Sequence, residues 1–211
     1  MLSGNEIMYF VEGNIGSGKS TFLKKLGEVI DRQVVLEPVD EWTKVRNLNG
    51  KNILEEFYED PKRNAFLFQS IAFRSRIRNI SDLKDCLVER SIFTDRMIFA
   101  ETCLEDGYLN SIEWNDYCEW FDWIVKHFNV NPSGFIYLRT NPRVSYERIQ
   151  KRQRSGESSI SFDYLKKLHQ KHDMWLLEEK NVLVLDVTEG FEDNPEVFGA
   201  MVEKVRRFIE S

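Results

Sequence analysis

Residues 13–20 read Gly13-Asn14-Ile15-Gly16-Ser17-Gly18-Lys19-Ser20, a match to GxxxxGK[ST], and this stretch decides the fold. It lies between a short apolar run, Met8–Val11, and a helical pattern that begins at Lys19, the strand–loop–helix setting in which the motif has physical meaning. Glycines let the backbone curl until successive N–H groups face one anion. The helix that follows adds its positive N-terminal end. In such a loop Lys19 reaches the β- and γ-phosphates of a nucleoside triphosphate, and the Ser20 hydroxyl ligates Mg²⁺.

Outward from the loop, β-rich runs alternate with longer helical patterns. Strands are predicted at Met8–Val11, Gln33–Leu36, Cys86–Val88, Gly134–Leu138 and Val182–Val187. Several are continuously apolar, as strands buried on both faces must be, and Val182-Leu183-Val184-Leu185 is the clearest. Helices are predicted over Lys19–Ile30, Pro61–Ile80, Phe93–Leu104, Ser111–Phe128, Pro142–Arg154, Ser161–Glu179 and Pro195–Glu210. Pro61, Pro142 and Pro195 suit first helical turns, where a missing N–H is harmless. The alternation predicts an α/β domain: a five-stranded, mostly parallel sheet covered by helices on both faces. No repeat, linker or low-complexity segment interrupts the 211 residues, which are read as one domain.

Composition narrows the function. The net charge of −6 argues against a broad nucleic-acid surface, yet leaves room for a local cluster that holds a small anion. No stretch approaches the ~18 to 20 apolar residues of a membrane span. Met1–Glu6 lacks the cationic flank and apolar run of a signal peptide. Cys86, Cys103 and Cys118 show no metal spacing and read as reduced thiols, so a cytoplasmic setting is expected.

Ligands of open parallel sheets bind beyond the carboxyl ends of the strands. Glu37, just past the second strand, therefore faces the crevice of the phosphate loop, where a carboxylate takes a proton from an attacking hydroxyl or supports the metal. The third strand runs into Glu89-Arg90-Ser91, with Asp95-Arg96 beyond; a carboxylate there assists Mg²⁺ and an arginine neutralises transferring phosphate. Arg143, Arg148, Lys151, Arg152 and Arg154 face only Glu147 as countercharge, and read as a mobile basic lid over the triphosphate, about residues 143–160. Other features read as structural. Phe162, Leu165, Leu168, Trp175 and Leu176 mark a core face, His169 and His172 sit on the same helix without further ligands, and Trp114, Trp120, Phe121 and Trp123 serve a core or a subunit interface.

Taken together, EGNIGSGKSTF (12–22), LEPVDEW (36–42), ERSIFTDRMIFA (89–100), ERIQKRQR (147–154), DYLKKLHQKHDMWLL (163–177) and LDVTEGF (185–191) resemble the deoxyribonucleoside kinases of the deoxycytidine and deoxyguanosine kinase type. The resemblance implies a P-loop kinase with an Arg-rich lid that moves the ATP γ-phosphate, with Mg²⁺, to the 5′-hydroxyl of a deoxynucleoside. It implies that Glu37 is the general base, that Arg90 holds the hydroxyl and the transferring group, and that Glu89 joins Ser20 at Mg²⁺. Gly13 through Thr21 with Arg148, Arg152 and Arg154 would hold ATP, and Phe191 would lie near its base, although Gly190 replaces an acid found in some relatives. Trp42, Phe57 and Phe99 would wall the nucleobase slot, with Gln69 on the base edge and Tyr58 and Glu157 on the 3′-hydroxyl. Arg76 and Asp95, with the small Ala72 beside them, match the pair of the deoxycytidine and purine kinases, which implies those bases over thymidine. Phe57, Asn64 and Ser155 depart from common relatives. A homodimer through the Trp114–Phe128 helix is also implied.

Three alternatives stay open at the level of sequence. A thymidine-preferring relative differs only in base. A nucleoside monophosphate kinase shares the loop, but needs extra cations for its acceptor's phosphate. A non-catalytic nucleotide-binding subunit would be expected to lose charged site residues, whereas Lys19, Glu37, Glu89 and Arg90 are all present.

Overall fold

A computed structural model describes residues 7–81, 83–128 and 130–210; the leader reading of residues 1–6 lies outside them. The strands are β1 (Met8–Glu12), β2 (Gln33–Val35), β3 (Cys86–Glu89), β4 (Gly134–Arg139) and β5 (Val182–Asp186). They form one parallel sheet in the order β2-β3-β1-β4-β5. Side chains of a strand alternate between faces. Met8 and Phe10 thus enter one core with Phe135 and Tyr137, while Tyr9 and Val11 enter the other with Ile136 and Leu138.

The helices are α1 (Lys19–Gly27), α2 (Val39–Lys44), α3 (Ile53–Glu59), α4 (Pro61–Ile80), α5 (Ile92–Thr94), α6 (Glu101–Glu105), α7 (Ser111–Phe128), α8 (Pro142–Arg152), α9 (Phe162–Leu176) and α10 (Pro195–Ile209). A π-helical turn, Asp95–Ala100, joins α5 to α6, and a 3₁₀ turn, Glu157–Ser159, precedes α9. The first core packs residues of α3, α4 and α7, and the second packs residues of α1 and α10. Side-chain caps start several of the helices, among them α4, α8, α9 and α10: Asp60 accepts from Arg63 N–H, Asn141 from Arg143 N–H, Ser161 from Tyr164 N–H and Asn194 from Val197 N–H. Pro61, Pro142 and Pro195 follow three of these caps as expected. Among the described residues no helix is long and apolar enough to cross a membrane.

Two expectations need correction. β5 is an edge strand, so it is not buried on both faces: Leu185 is buried, but Val184 is 41% exposed. Its apolar run reflects β propensity: Val182 packs against the first core and Leu183 and Leu185 against the second, while Val184 lies outside both. The segment predicted as one helix, 93–104, is instead α5, the π turn and α6; π turns occur often at functional sites.

The α8 end of the basic segment is docked firmly. A Cβ at Gly16 would lie 2.5 Å from the Ser145 carbonyl oxygen of α8, and Gly16 has φ 78°, so only glycine permits this approach. Ile15 packs beside Ile149, Ile160 and Leu165 in a small third cluster. Asn14 donates through Nδ2 to the Leu165 carbonyl at 2.9 Å, which ties the loop to α9.

Candidate active site

The carboxyl ends of β1, β2 and β3 converge on a cavity of about 220 Å³, room for one small molecule rather than a polymer. Ile15, Gly16, Gly18, Lys19, Ser20 and Thr21 form one wall. Glu37 and Trp42 come from β2 and α2, Phe57 and Tyr58 from α3. Gln69, Ala72 and Arg76 face in from α4, Glu89 and Arg90 from the end of β3, Asp95 and Phe99 from the π turn, and Arg152, Arg154 and Glu157 from α8 and the turn after it. Arg148 and Phe191 line a second, wider cavity on the other side of the loop. Gly13, Asn14 and Ser17 line neither cavity and act as the loop's scaffold.

The geometry is dominated by one carboxylate. Glu37 Oε1 accepts from Arg76 Nη2 at 2.5 Å and from Arg90 Nε at 3.2 Å. Burial alone would raise the Glu37 pKa, but the Arg76 and Arg90 guanidiniums, with Lys19, hold it far below the usual carboxylate range. Arg76 also donates through Nε to Asp95 Oδ2 at 2.7 Å and through Nη1 to the Glu89 carbonyl at 3.3 Å. Asp95 differs from Glu37: burial wins over Arg76 and Arg90, and its pKa is pushed up to about 6.

Arg90 is buried and adopts a left-handed backbone, φ 64°. Its guanidinium lies 4.6 Å from the centre of the Phe99 ring, a cation–π contact, and its Nη1 is buried without a hydrogen-bond partner among the described residues. On the loop side, Lys19 Nζ folds back onto the Gly13 and Asn14 carbonyls at 3.1 and 2.9 Å. Burial, then Arg90, lowers its pKa to about 7. Ser20 Oγ donates to Glu89 Oε1 at 2.7 Å, and Glu89 Oε2 accepts from the Glu37 N–H at 3.2 Å.

The slot walls are also fixed. Trp42 Nε1 donates to Ser75 Oγ at 2.9 Å, and its ring meets Phe68 edge-on at 5.6 Å; Phe57 stacks on Phe68 at 4.8 Å. Gln69 spends an amide hydrogen on the Cys103 sulfur, 3.8 Å away, a weak acceptor that yields readily. Glu157 is buried and accepts from Arg152 at 2.5 and 3.1 Å and from Arg154 at 3.2 Å. Arg148 instead grips the Ser17 and Val187 carbonyls at 3.3 and 3.0 Å. Phe191 is buried, edge-on to Phe22 and stacked with Phe198, so it forms part of the second cavity's floor.

Val39, Leu54, Phe68 and Tyr164 also line the first cavity and were missed from sequence. Phe68 carried a usable signal, since it precedes Gln69 and lies one turn before Ala72 on α4. Tyr164 carried none, because its place depends on how α9 packs. His172 is buried, stacked on Tyr137 and edge-on to Phe99, and burial lowers its pKa to about 3, which keeps it neutral.

A phosphate loop, a pinned carboxylate and a small-molecule slot define a P-loop kinase that acts on a small acceptor. The sequence matches the family model "Deoxynucleoside kinase" over residues 9–210. It is 38% identical to deoxycytidine kinase of Homo sapiens over 95% of this chain and 90% of that one. Mitochondrial deoxyguanosine kinase of Xenopus laevis is 34% identical over 94% and 88%. The chain belongs to the deoxynucleoside kinase family, and its activity is ATP-dependent phosphorylation of a deoxynucleoside.

Proposed function

We propose that the chain, working as one kinase domain, transfers the γ-phosphate of ATP to the 5′-hydroxyl of deoxycytidine and purine deoxynucleosides in preference to thymidine. The observation that carries this reading is the carboxylate of Glu37, shared by Arg76 on the base side and Arg90 on the phosphate side. The 5′-hydroxyl sits at that junction. Glu37 orients it and accepts its proton late, since phosphoryl transfer passes through a loose transition state that demands little early deprotonation. Arg90 and Lys19 stabilise the charge on the transferring group.

Around them, Trp42, Phe57 and Phe99 hold the base, Gln69 reads its edge, and the Arg76–Asp95 pair beside Ala72 fills the room a 5-methyl group needs. Tyr58 and Glu157 take the 3′-hydroxyl. Gly13 to Thr21 and Arg148 hold the triphosphate, Phe191 supports its base, and Arg152 and Arg154 close over it within a lid at about 143–160. Ser20 and Glu89, whose hard oxygens lie 2.7 Å apart, would hold Mg²⁺ beside the triphosphate. When bound, it neutralises phosphate charge. A homodimer uses the α7 face, where Trp120 and Trp123 are 55% and 46% exposed while Tyr117 and Phe121 are buried. Two of the three cysteines, Cys86 and Cys103, are buried and none is in a disulfide, which suits a cytoplasm-like compartment.

The test is kcat/KM for the four deoxynucleosides with two triphosphate donors, on both sides of Asp95's midpoint near 6. Above it Asp95 is a carboxylate that only accepts; below it the acid donates, so the ratio among bases changes through that pH. A thymidine preference overturns the base assignment, and a flat ratio removes Asp95 from base contact. Turnover only with a deoxynucleoside monophosphate would overturn the acceptor.

Lys19 supplies a second expectation. With its pKa near 7 in the free protein, the ammonium is favoured again once phosphate replaces the loop carbonyls. ATP binding above that pH takes up a proton and weakens as pH rises toward lysine's ordinary range. Calorimetry without added divalent metal, in buffers of different ionisation enthalpy, measures the uptake, and Lys19→Met abolishes it. Wild-type protein with no uptake would show that Lys19 does not meet the phosphates.

A further inference from the structure

Glu12 ends β1, directly before Gly13, and has no exposed surface. The phosphate-loop motif does not include it. Its Oε1 accepts the Ser91 backbone N–H at 2.8 Å, while its Oε2 is buried without a hydrogen-bond partner among the described residues. A carboxylate buried on so few contacts is expensive, and such groups persist where they do something.

The peptide it holds lies at a particular point. Arg90, one residue earlier, has φ 64°, a region that long L side chains rarely occupy. Arg90 N–H donates to the Val11 carbonyl at 3.0 Å, so two consecutive groups of β1, the Val11 carbonyl and the Glu12 carboxylate, grip two consecutive amides of the turn. Beyond it, Ser91 Oγ accepts from Thr94 N–H at 3.2 Å and starts α5. The left-handed residue is thereby fixed between the sheet and a helix cap, with its guanidinium delivered to Glu37.

We infer that Glu12 is a positioning residue for phosphoryl transfer: its carboxylate locks the left-handed turn that presents Arg90 to Glu37 and the phosphate loop. The inference rests on the role given to Arg90 above.

Glu12→Met keeps the side-chain length and removes the acceptor; Glu12→Gln restores an acceptor oxygen. Glu12→Met is expected to lower kcat about 10- to 100-fold, the scale of a lost charged hydrogen bond, with little change in the nucleoside KM. Glu12→Gln recovers most of that loss. On an Arg90→Met background, Glu12→Met has no further effect, because it acts through Arg90. A purely structural residue would lower thermal stability and leave the kcat of the folded enzyme unchanged. A folded Glu12→Met enzyme with normal kcat, or one with the same fold-loss in both backgrounds, overturns the inference. If the variant does not fold, hydrogen exchange of the Ser91 amide in the native enzyme decides: slow exchange is expected, and exchange at the rate of exposed loops overturns it. Normal kcat in Arg90→Met alone would overturn the role of Arg90, while the exchange of Ser91 still reports the grip of Glu12 on the turn.

Discussion

Glu37→Gln lowers the rate of the chemical step by ~10²-fold or more, the scale of a lost general base, while nucleoside binding stays close to normal. Glutamine keeps the oxygen that accepts from Arg76 and Arg90, so the slot retains its shape and Arg76 retains Asp95. What disappears is the carboxylate proposed to receive the hydroxyl proton. The wild-type pH profile adds a sign. Because Arg76, Arg90 and Lys19 together outweigh burial and hold the Glu37 pKa far down, Glu37 stays ionised across the working range and produces no acid limb near ordinary carboxylate values. The stability it contributes is present above the unfolded carboxylate pKa and is lost only as pH falls through the depressed folded value. Single-turnover measurements give the chemical rate free of product release. An unchanged rate in Glu37→Gln would remove the residue from the base role.

A carboxylate held this acidic is a weak base in the ground state, and that agrees with the chemistry. In a loose transition state the bond to the leaving group is largely broken before the acceptor oxygen commits. The hydroxyl becomes strongly acidic only as its bond to phosphorus forms, and a weak base within reach then suffices. Arg90, one of the two arginines that depress Glu37, is also the one proposed to stabilise the phosphoryl charge, so on that proposal a stronger base would require giving up electrostatic stabilisation.

How much of this was legible in the sequence follows from the range of each interaction. The phosphate loop and the strand-end acids could be read because their chemistry is local: glycine spacing, an adjacent strand and a helix start lie within a dozen residues. The proline-led starts of α4, α8 and α10 were legible for the same reason. Helices α2 and α3 were not recognised, although Asn52 and Glu55 form a complete capping box, because six or seven residues hold too little periodicity. The π turn at 95–100 has no local signature, and its form depends on packing against α4, α7 and α9. The exposure of Val184 was illegible because strand order, and hence which strand becomes an edge, is a long-range property. The double use of Glu37 by Arg76 and Arg90 joins three segments and could not be inferred from any one of them.

Arg90→Met is expected to cost about 10³-fold in kcat, the lower end of what an arginine contributes to phosphoryl transfer. Three features of its setting support a loss this large. Its Nε is anchored on Glu37, its plane rests on Phe99, and its Nη1 is buried with no acceptor among the described residues. A buried donor left unpaired costs stability in the resting enzyme. That cost is offset when an anionic oxygen arrives beside it, so the donor favours the charged transition state over the neutral alcohol of the ground state. Arg90→Lys keeps the charge but loses the planar fork, and a lysine cannot reach Glu37 and the phosphoryl oxygen at once, so it should recover only a minor part of the rate. The control is thermal unfolding: both variants keep the Arg76–Glu37 and Arg76–Asp95 pairs and should melt close to the native enzyme. If folded Arg90→Met retained kcat within about tenfold, a loss well short of the 10³-fold expected of an arginine in this role, the transition-state charge would have to be carried by Lys19 and the arginines beside Glu157. The unpaired nitrogen at the centre of the site would then be a defect of packing rather than the prepared half of a hydrogen bond.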